Sequence, residues 1–169
     1  MFNTNNFLSV TSLDRSKVQR FIFNGWGEFF DLENIDIDEI ISKRKDLQDI
    51  ENFYKKYNGN FWYLQKNNKV IATIAVHEIL FMGKKVGFLR RFFIEKNYRN
   101  KGLGTEILKF IEDYCRQKKW SYLMFGVDKS MERNKNFYFR NGYEEFSKNI
   151  PQDLLDDNDT WYLRKKISL

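Results

Sequence analysis

The sequence predicts an α/β fold with a mixed sheet of six to seven strands and about four flanking helices. Segments with apolar residues every three or four positions, typical of amphipathic helices, alternate with short β-branched and aromatic runs, typical of strands. Three strand-like runs precede a glycine-containing turn at 99–105, and an amphipathic helix follows it. This order predicts helices that pack against a sheet.

The N-terminal half is predicted to contain two helices and a hairpin. Its elements are a short strand at 7–10, helices at 15–30 and 36–57, and strands at 61–65, 70–80 and 86–94. In the second helix, Ile37, Ile40 and Ile41 begin a common apolar face. Asn58-Gly59-Asn60 ends that helix, and an Asn67-Asn68 turn joins the next two strands into a hairpin.

The C-terminal half begins with the amphipathic helix after the glycine turn. Its elements are a helix at 102–115, a strand at 120–127, a helix at 130–140, and strands at 143–146 and 160–167. Asn141-Gly142 ends the second of these helices. No repeat or Gly/Ser/Pro-rich linker marks a boundary, so residues 1–169 are expected to form a single domain.

Composition favours a folded protein with an anionic ligand. Hydrophobic residues make up 42% of the 169 residues and aromatic residues 18%, and the formal net charge is +6. Basic residues are dense between Lys84 and Lys101, whereas acidic residues collect at 31–39 and 153–159. A locally basic site with acidic flanks suits a compact phosphorylated ligand better than a nucleic acid, so no nucleic-acid partner is expected.

Several classes of protein are not expected from this sequence. The first residues lack a signal-peptide pattern and no apolar run is long enough to cross a bilayer, so a cytoplasmic, membrane-free protein is expected. Cys115 is the single cysteine and His77 the single histidine, so neither a disulfide nor a metal site is expected. Cys115 lies on the apolar face of its helix, which indicates a core position rather than a nucleophile.

The turn from Arg99 to Thr105 is the most informative stretch. Gly102 and Gly104 at a helix start would let backbone N–H groups approach an anion, and the helix dipole adds partial positive charge there. The alternative for such a pair is an ordinary helix start. Ile107 stands where the dinucleotide fingerprint needs a third glycine, and no Walker Gly-Lys-Ser/Thr follows, so both of those phosphate loops are excluded.

Two motifs in this order resemble those of the GNAT superfamily of N-acetyltransferases. Arg99, Gly102 and Gly104 match its [RQ]-x-x-G-x-[GA] motif, and 137–143 matches its F-Y-x-x-x-G-[FY] segment. The likeness follows the superfamily's order of elements from 70 to about 146. It implies a GNAT-like, mostly antiparallel sheet and acetyl-CoA as the acyl donor.

The resemblance also implies where acetyl-CoA would bind. The main chain of Phe92, Phe93 and Ile94 would lie beside the pantetheine arm as an added strand does, while the side chains pack in the core. The residues implied to hold the pyrophosphate are Asn100, Lys101, Gly102, Leu103, Gly104 and Thr105. Arg99 and Tyr138 are also implied to bind the cofactor. Met131 replaces a frequent family asparagine, and Asn134, three positions on, is a candidate replacement contact or a solvent-facing helix residue.

Acetyl transfer from a thioester to an amine needs an acid, a base and an oxyanion donor. By resemblance, Tyr138 is the candidate acid for the leaving thiolate and Ile94 N–H the oxyanion donor. The alternative for Tyr138 is a core aromatic. Glu78 is the candidate base, and its alternative is a carboxylate at the rim of the site. Other candidates for the base are His77, Glu95, Asp128, Glu28 and a chain of waters.

These inferences predict an N-acetyltransferase that moves the acetyl group of acetyl-CoA directly to a primary amine. The acceptor is a small-molecule or protein amine, since no motif identifies it, and the protein is expected to be a monomer or homodimer. The alternative function is a non-catalytic acyl-CoA-binding or nucleic-acid-associated module on the same fold. Retention of Tyr138 argues against that alternative.

Overall fold

The computed structural model describes residues 6–28, 36–150 and 160–168, which form seven strands and six helices. The strands are β1 (Leu8–Ser9), β2 (Asn60–Lys66), β3 (Lys69–Phe81), β4 (Lys84–Ile94), β5 (Tyr122–Asp128), β6 (Glu144–Phe146) and β7 (Thr160–Lys166). The helices are α1 (Arg15–Gly27), α2 (Ile37–Lys43), α3 (Lys45–Gln48), α4 (Ile50–Lys56), α5 (Leu103–Gln117) and α6 (Glu132–Arg140). None of these helices has the length and apolar character that a membrane span requires.

The strands form one sheet in the order β1-β2-β3-β4-β5-β7-β6. The pairs β1–β2, β2–β3, β5–β7 and β6–β7 are antiparallel, whereas β4 and β5 are parallel. The predicted mixed, mostly antiparallel sheet is therefore confirmed, and all seven predicted strands are present. The predicted first helix, 15–30, is described as far as residue 28, and the residues beyond it lie outside the described ranges.

The chain divides into two compact units. The first consists of Met1–His77 and Arg90–Ile107, and the second of Glu78–Leu89 and Leu108–Leu169. The strands β3 and β4 and the helix α5 each contribute residues to both units. The expectation of a single domain stays a prediction.

In the first unit, α1 packs on β2 and β3 through an apolar core. The buried side chains of this core are Val10, Val18, Ile22, Phe23, Leu47, Ile50, Tyr54, Phe61, Tyr63 and Ala75. Val18 and Ile22, four residues apart on α1, are fully buried, as the helical spacing of apolar residues requires. Burial of these aliphatic and aromatic groups is the main force that holds the unit together.

The helix predicted at 36–57 is wrong as one continuous element, because the chain breaks it twice. Arg44 and Asp49 have non-helical ψ angles of 84° and 76°. The Asp49 carboxylate then accepts hydrogen bonds from the backbone N–H and the side-chain amide of Asn52, which caps the start of α4. The two breaks place both Leu47 and Asp46 in the interior, where each is at most 4% exposed.

Asp46 enters the core because it forms an ion pair with Arg91 of β4. The Arg91 Nε and Nη2 atoms donate to its two carboxylate oxygens at 2.7 and 2.8 Å, and the Tyr54 hydroxyl donates at 3.0 Å. Burial alone would raise the pKa of Asp46, but the hydrogen bonds and charge of Arg91 lower it. A fork of two charge-assisted bonds satisfies both charged groups inside the protein.

The second unit contains another ionic cluster, centred on Glu112 of α5. The Lys165 ammonium donates to both Glu112 oxygens at 2.8 and 2.9 Å and to the Asn141 carbonyl at 2.9 Å. The Tyr143 hydroxyl also donates to Glu112, at 3.0 Å. On the same helix, Cys115 is fully buried and its burial raises the pKa of the thiol, so its predicted core position is confirmed.

Lys165→Met should destabilise the protein, because it leaves the buried Glu112 carboxylate without its strongest donor. We expect a loss of about 2–3 kcal/mol in the free energy of unfolding, measured by urea denaturation. Lys166→Met is the matched control, since Lys166 is the next residue and is exposed, and should change stability by less than about 0.5 kcal/mol. Equal losses from the two variants would contradict a stabilising role for the ion pair.

Candidate functional site

The predicted phosphate-binding turn connects β4 to α5. A single 3-10 turn at Lys96–Tyr98 follows β4, and the chain then passes through positive φ angles of 59° at Asn100 and 84° at Gly102. A left-handed conformation favours Asn and Gly, so the sequence of the turn suits its backbone. Apart from the two chain neighbours of Gly102, no heavy atom of the described residues lies within 4 Å of the place a Cβ would take.

The first turn of α5 presents backbone donors beside this open space. The Glu106 N–H donates to the carbonyl of Gly102 in the turn at 3.2 Å, which is the first hydrogen bond of the helix. The N–H groups of the residues before Glu106 have no intrahelical acceptor by helix geometry, and the helix dipole makes this end partially positive. Lys101 and Thr105 are exposed here and Leu103 is buried, so the helix end is held in place while its donors face outward. Such an end binds phosphate readily.

Arg99 fixes the turn against the end of β4. Its Nε donates to the Ile94 carbonyl at 2.7 Å, and its Nη2 forms an ion pair at 2.7 Å with the carboxylate of Glu28, the residue that follows α1. The backbone N–H of Glu95 bonds to the Ile71 carbonyl of β3 at 2.9 Å, so the strand ladder extends one residue past β4. The turn and the strand end are therefore rigidly joined within the first unit.

Phe92, Phe93 and Ile94 are half-buried at the end of β4. The Phe93 ring meets Trp26 edge-on at 6.1 Å and lies so close to α1 that a Cβ on Gly25 would be 2.7 Å from it. A cleft of about 210 Å³ lies beside them in the same unit. Its lining consists of Phe21, Asn24, Gly25, Glu28, Phe93, Ile94, Glu95 and Arg99.

The other predicted site residues belong to the second unit. Tyr138 of α6 is 8% exposed, and its ring lies 4.4 Å from that of Phe125. Burial raises the pKa of the Tyr138 phenol, so this group stays protonated throughout the neutral range. The side-chain amide of Asn134 lies 3.3 Å from the sulfur of Met131, the residue that precedes α6. The structure thus brings Phe92 to Thr105 together in the first unit and places Tyr138, Asn134 and Glu78 in the second.

Glu78 is held by two donors. Its Oε2 accepts from the Trp120 indole N–H at 2.9 Å, and its Oε1 lies 3.1 Å from the Lys85 ammonium. Trp120 is fully buried, so one Glu78 oxygen satisfies the polar atom of a core side chain. The candidate base therefore also has a structural contact, which the sequence did not reveal.

The remaining candidates for the base also have local partners. Glu95 accepts from the backbone and side-chain N–H groups of Asn97 at 3.0 and 3.1 Å. Asp128 accepts from the backbone N–H of Ser130 at 2.8 Å and from its hydroxyl at 2.5 Å. His77 is 5% exposed, and the rings of Phe53, Tyr54 and Tyr57 surround it at 5.8–6.0 Å. Glu95 and Asp128 therefore cap the turns that follow them, and His77 is a core histidine.

Sequence reasoning also missed an ion pair and a backbone conformation that shape this part of the site. Glu28 pairs with Arg99, which is 71 positions away along the chain, and no local pattern connects them. Arg91 adopts a φ of 54° inside β4, although arginine has no preference for that conformation. The positive φ at Asn100 has a sequence signal, because asparagine before a glycine turn favours it. Within the described ranges, no group of acidic, His and Cys side chains is arranged to hold a metal.

Comparisons with solved structures agree with this architecture. A GNAT-family acetyltransferase from Staphylococcus aureus Mu50 superposes with a TM-score of 0.79 at 21% identity, covering 96% of this chain and 99% of that one. The PaiA N-acetyltransferase of Thermoplasma acidophilum in complex with coenzyme A has a TM-score of 0.72 at 16% identity, covering 95% and 97%. At these identities the likeness shows a shared fold.

Two curated relatives match part of the sequence. An uncharacterized N-acetyltransferase in the pepI 3′ region of Lactobacillus delbrueckii subsp. lactis is 35% identical over 78 residues, which is 46% of this chain and 44% of the relative. The probable N-acetyltransferase camello of Xenopus tropicalis is 25% identical over 103 residues, which is 60% and 47%. The chain spans about half the length of the curated relatives it matches.

The profile of the acetyltransferase (GNAT) family matches residues 26–143, more than two thirds of the chain. This region includes the glycine turn, the helix it opens and the segment that carries Tyr138. The chain therefore belongs to the acetyltransferase (GNAT) family.

Proposed function

We propose that this protein is an N-acetyltransferase that transfers the acetyl group of acetyl-CoA directly to a primary amine of a small molecule or a protein. The observation that carries the proposal is the outward-facing glycine turn, which opens α5 and is joined to the half-buried end of β4 by a single 3-10 turn. It joins a phosphate-binding helix end to a strand with main-chain groups for an extended ligand. A single-domain, cytoplasmic protein that needs no metal is part of the proposal.

The proposed acetyl-CoA site follows these elements. The segment from Asn100 to Thr105 would hold the pyrophosphate on backbone N–H groups, with Lys101 exposed among them. The main chain of Phe92 to Ile94 would pair with the pantetheine arm. In the described residues, β4 pairs with β5 in parallel at two positions, Gly87 with Leu123 and Phe88 with Met124. Both positions lie before the segment of β4 that is proposed to bind the ligand.

The proposed chemistry assigns one role to each group. Ile94 N–H would donate to the thioester oxygen, where negative charge develops. Tyr138, kept protonated by burial, would give its proton to the leaving thiolate. Glu78 would take the proton of the amine, which must be neutral to attack. Its contacts with the Trp120 indole N–H and the Lys85 ammonium hold this carboxylate in place.

Acetyl-CoA should raise the melting temperature, because a ligand that binds the native state stabilises it. At about 100 times the dissociation constant the gain is about 2.7 kcal/mol, or roughly 5–10 °C for a chain of this size. NAD and ATP should do far less. An acceptor panel monitored by release of free thiol then tests turnover. Thermal stabilisation with no thiol release from any amine would support the non-catalytic acyl-CoA-binding alternative.

Gly102→Val should abolish acetyl-CoA binding while the protein stays folded. A valine side chain would occupy the open space at the turn and disfavour the φ of 84° there. Gly83→Val is the matched control, since Gly83 has a φ of 73° in the β3–β4 hairpin and equally open surroundings among the described residues. Isothermal titration calorimetry should detect acetyl-CoA binding by the control only. Wild-type affinity for acetyl-CoA in a folded Gly102→Val protein would show that this turn is an ordinary helix start without a role in binding.

Tyr138→Phe should lower kcat by about 100- to 10,000-fold with little change in acetyl-CoA affinity, because it removes only the proposed acid. The ring keeps its packing against Phe125. Tyr143→Phe is the control, since it removes a buried hydroxyl that donates to Glu112 and should cost stability rather than kcat. A Tyr138→Phe enzyme with kcat within a few-fold of wild type would remove Tyr138 as the acid.

A further inference from the structure

Arg91 has a strained backbone in the middle of β4. Its φ of 54° is unfavourable for a residue with a Cβ. Glycine and asparagine adopt such angles more readily, but this position holds an arginine. Such strain persists only where the surroundings enforce it, and it is concentrated at functional sites. The following three residues are Phe92, Phe93 and Ile94, whose main chain is proposed to contact the acyl donor.

Three side chains hold Arg91 in this conformation. The buried Asp46 carboxylate accepts both bonds of its guanidinium, as described above, and the Trp26 ring lies 5.0 Å from its Cζ. The Thr73 hydroxyl of β3 donates to the Arg91 carbonyl at 2.8 Å. A side chain of β3 thus satisfies a main-chain carbonyl at the strained residue. The regular strand bond from Glu95 N–H to the Ile71 carbonyl resumes beyond it.

The ion pair between Arg91 and Asp46 is well suited to fix the orientation of the Arg91 side chain. The side chains of Arg91 and Asp46 are 9% and 5% exposed, and the guanidinium fork bonds to both carboxylate oxygens. The fork restricts rotation as well as distance, which a lysine ammonium would not. The hydroxyl of Tyr54, which is 1% exposed, holds the carboxylate from another side. The position of the Arg91 side chain is therefore set from the helical side of the first unit.

We propose that Asp46 is a positioning residue for acetyl transfer, acting through Arg91 to orient the main chain of Phe92 to Ile94. This inference rests on the proposed function, because it concerns the N–H group assigned to the thioester oxygen. Without the carboxylate, Arg91 relaxes toward ordinary strand geometry and the Ile94 N–H turns away from its working direction. Asp46 itself contacts neither substrate.

Asp46→Asn should lower kcat about 10- to 100-fold, and the dissociation constant of acetyl-CoA should rise by a clearly smaller factor, because the main chain beside the pantetheine arm is disturbed as well. A misdirected oxyanion donor affects the transition state, whereas the pyrophosphate turn still binds the donor. Leu47→Ala is the matched control: Leu47 is the next residue, is fully buried and has no bond to β4 in the described structure. It should lower stability but leave the kcat of the folded protein within about three-fold of wild type.

Rescue separates positioning from stability. In the double variant Asp46→Asn/Arg91→Gly, glycine adopts a positive φ freely and the unpaired guanidinium is gone, so kcat should recover at least several-fold over Asp46→Asn. Failure of this recovery, or equal kcat losses in Asp46→Asn and Leu47→Ala, would overturn the proposal. Should Asp46→Asn not fold, Arg91→Lys weakens the fork while keeping its charge and should show the same kcat loss.

A second measurement does not depend on turnover. In two-dimensional NMR spectra, Asp46→Asn should shift the amide signals of Phe92, Phe93 and Ile94 strongly. Leu47→Ala should shift them much less, because Leu47 shares only an apolar core with Phe93. Changes confined to the direct neighbours of residue 46 would refute the positioning role. Absence of acetyl transfer by the wild-type protein would instead refute the proposed function, and the amide signals would still decide whether Asp46 orients this segment.

Discussion

The ion pair between Asp46 and Arg91 is the interaction on which the first unit depends. It bonds a short helix to β4, and both partners are almost fully buried. Replacing such a pair with apolar residues often changes stability little, whereas removing one partner costs about 3–5 kcal/mol. Its value therefore lies in geometry more than in net stability. It explains why the segment 36–57 is broken, since a straight amphipathic helix would place Asp46 on the polar face.

At the glycine turn, too, an arginine matters for geometry more than for net stability. This residue is Arg99. Its guanidinium joins the Ile94 carbonyl to the Glu28 carboxylate, so one side chain connects β4, the turn and α1. An arginine at this position does not need to touch the ligand to matter, because it holds the strand end and the helix start in a fixed relation. Backbone donors that are already in place bind an anion without a further ordering cost.

The sequence predicted those features that local patterns determine. The strands, the amphipathic α5 and the glycine turn follow from periodicity and from residues that favour particular φ angles. The breaks at Arg44 and Asp49 were not predictable, since their cause is a bond between residues 45 positions apart. The pairing of Glu78 with Trp120 was missed for the same reason, at a separation of 42 positions. The roles of Tyr138 and Ile94 came from family resemblance and that of Glu78 from its place on the third strand, and all of them stay predictions.

The proposed acid and base have different surroundings. Burial among aromatic rings raises the pKa of Tyr138 and keeps it protonated, whereas Glu78 accepts a hydrogen bond from an indole N–H and pairs with an ammonium. A primary amine with a pKa of about 10.4 is almost entirely protonated at neutral pH, so removal of its proton is a large part of the chemical problem. A carboxylate, with an ordinary pKa of about 4.3, is a weak base for that step. The rate of acetyl transfer should therefore depend mainly on the fraction of neutral amine. The base serves chiefly to accept the proton that the amine loses as it is acetylated.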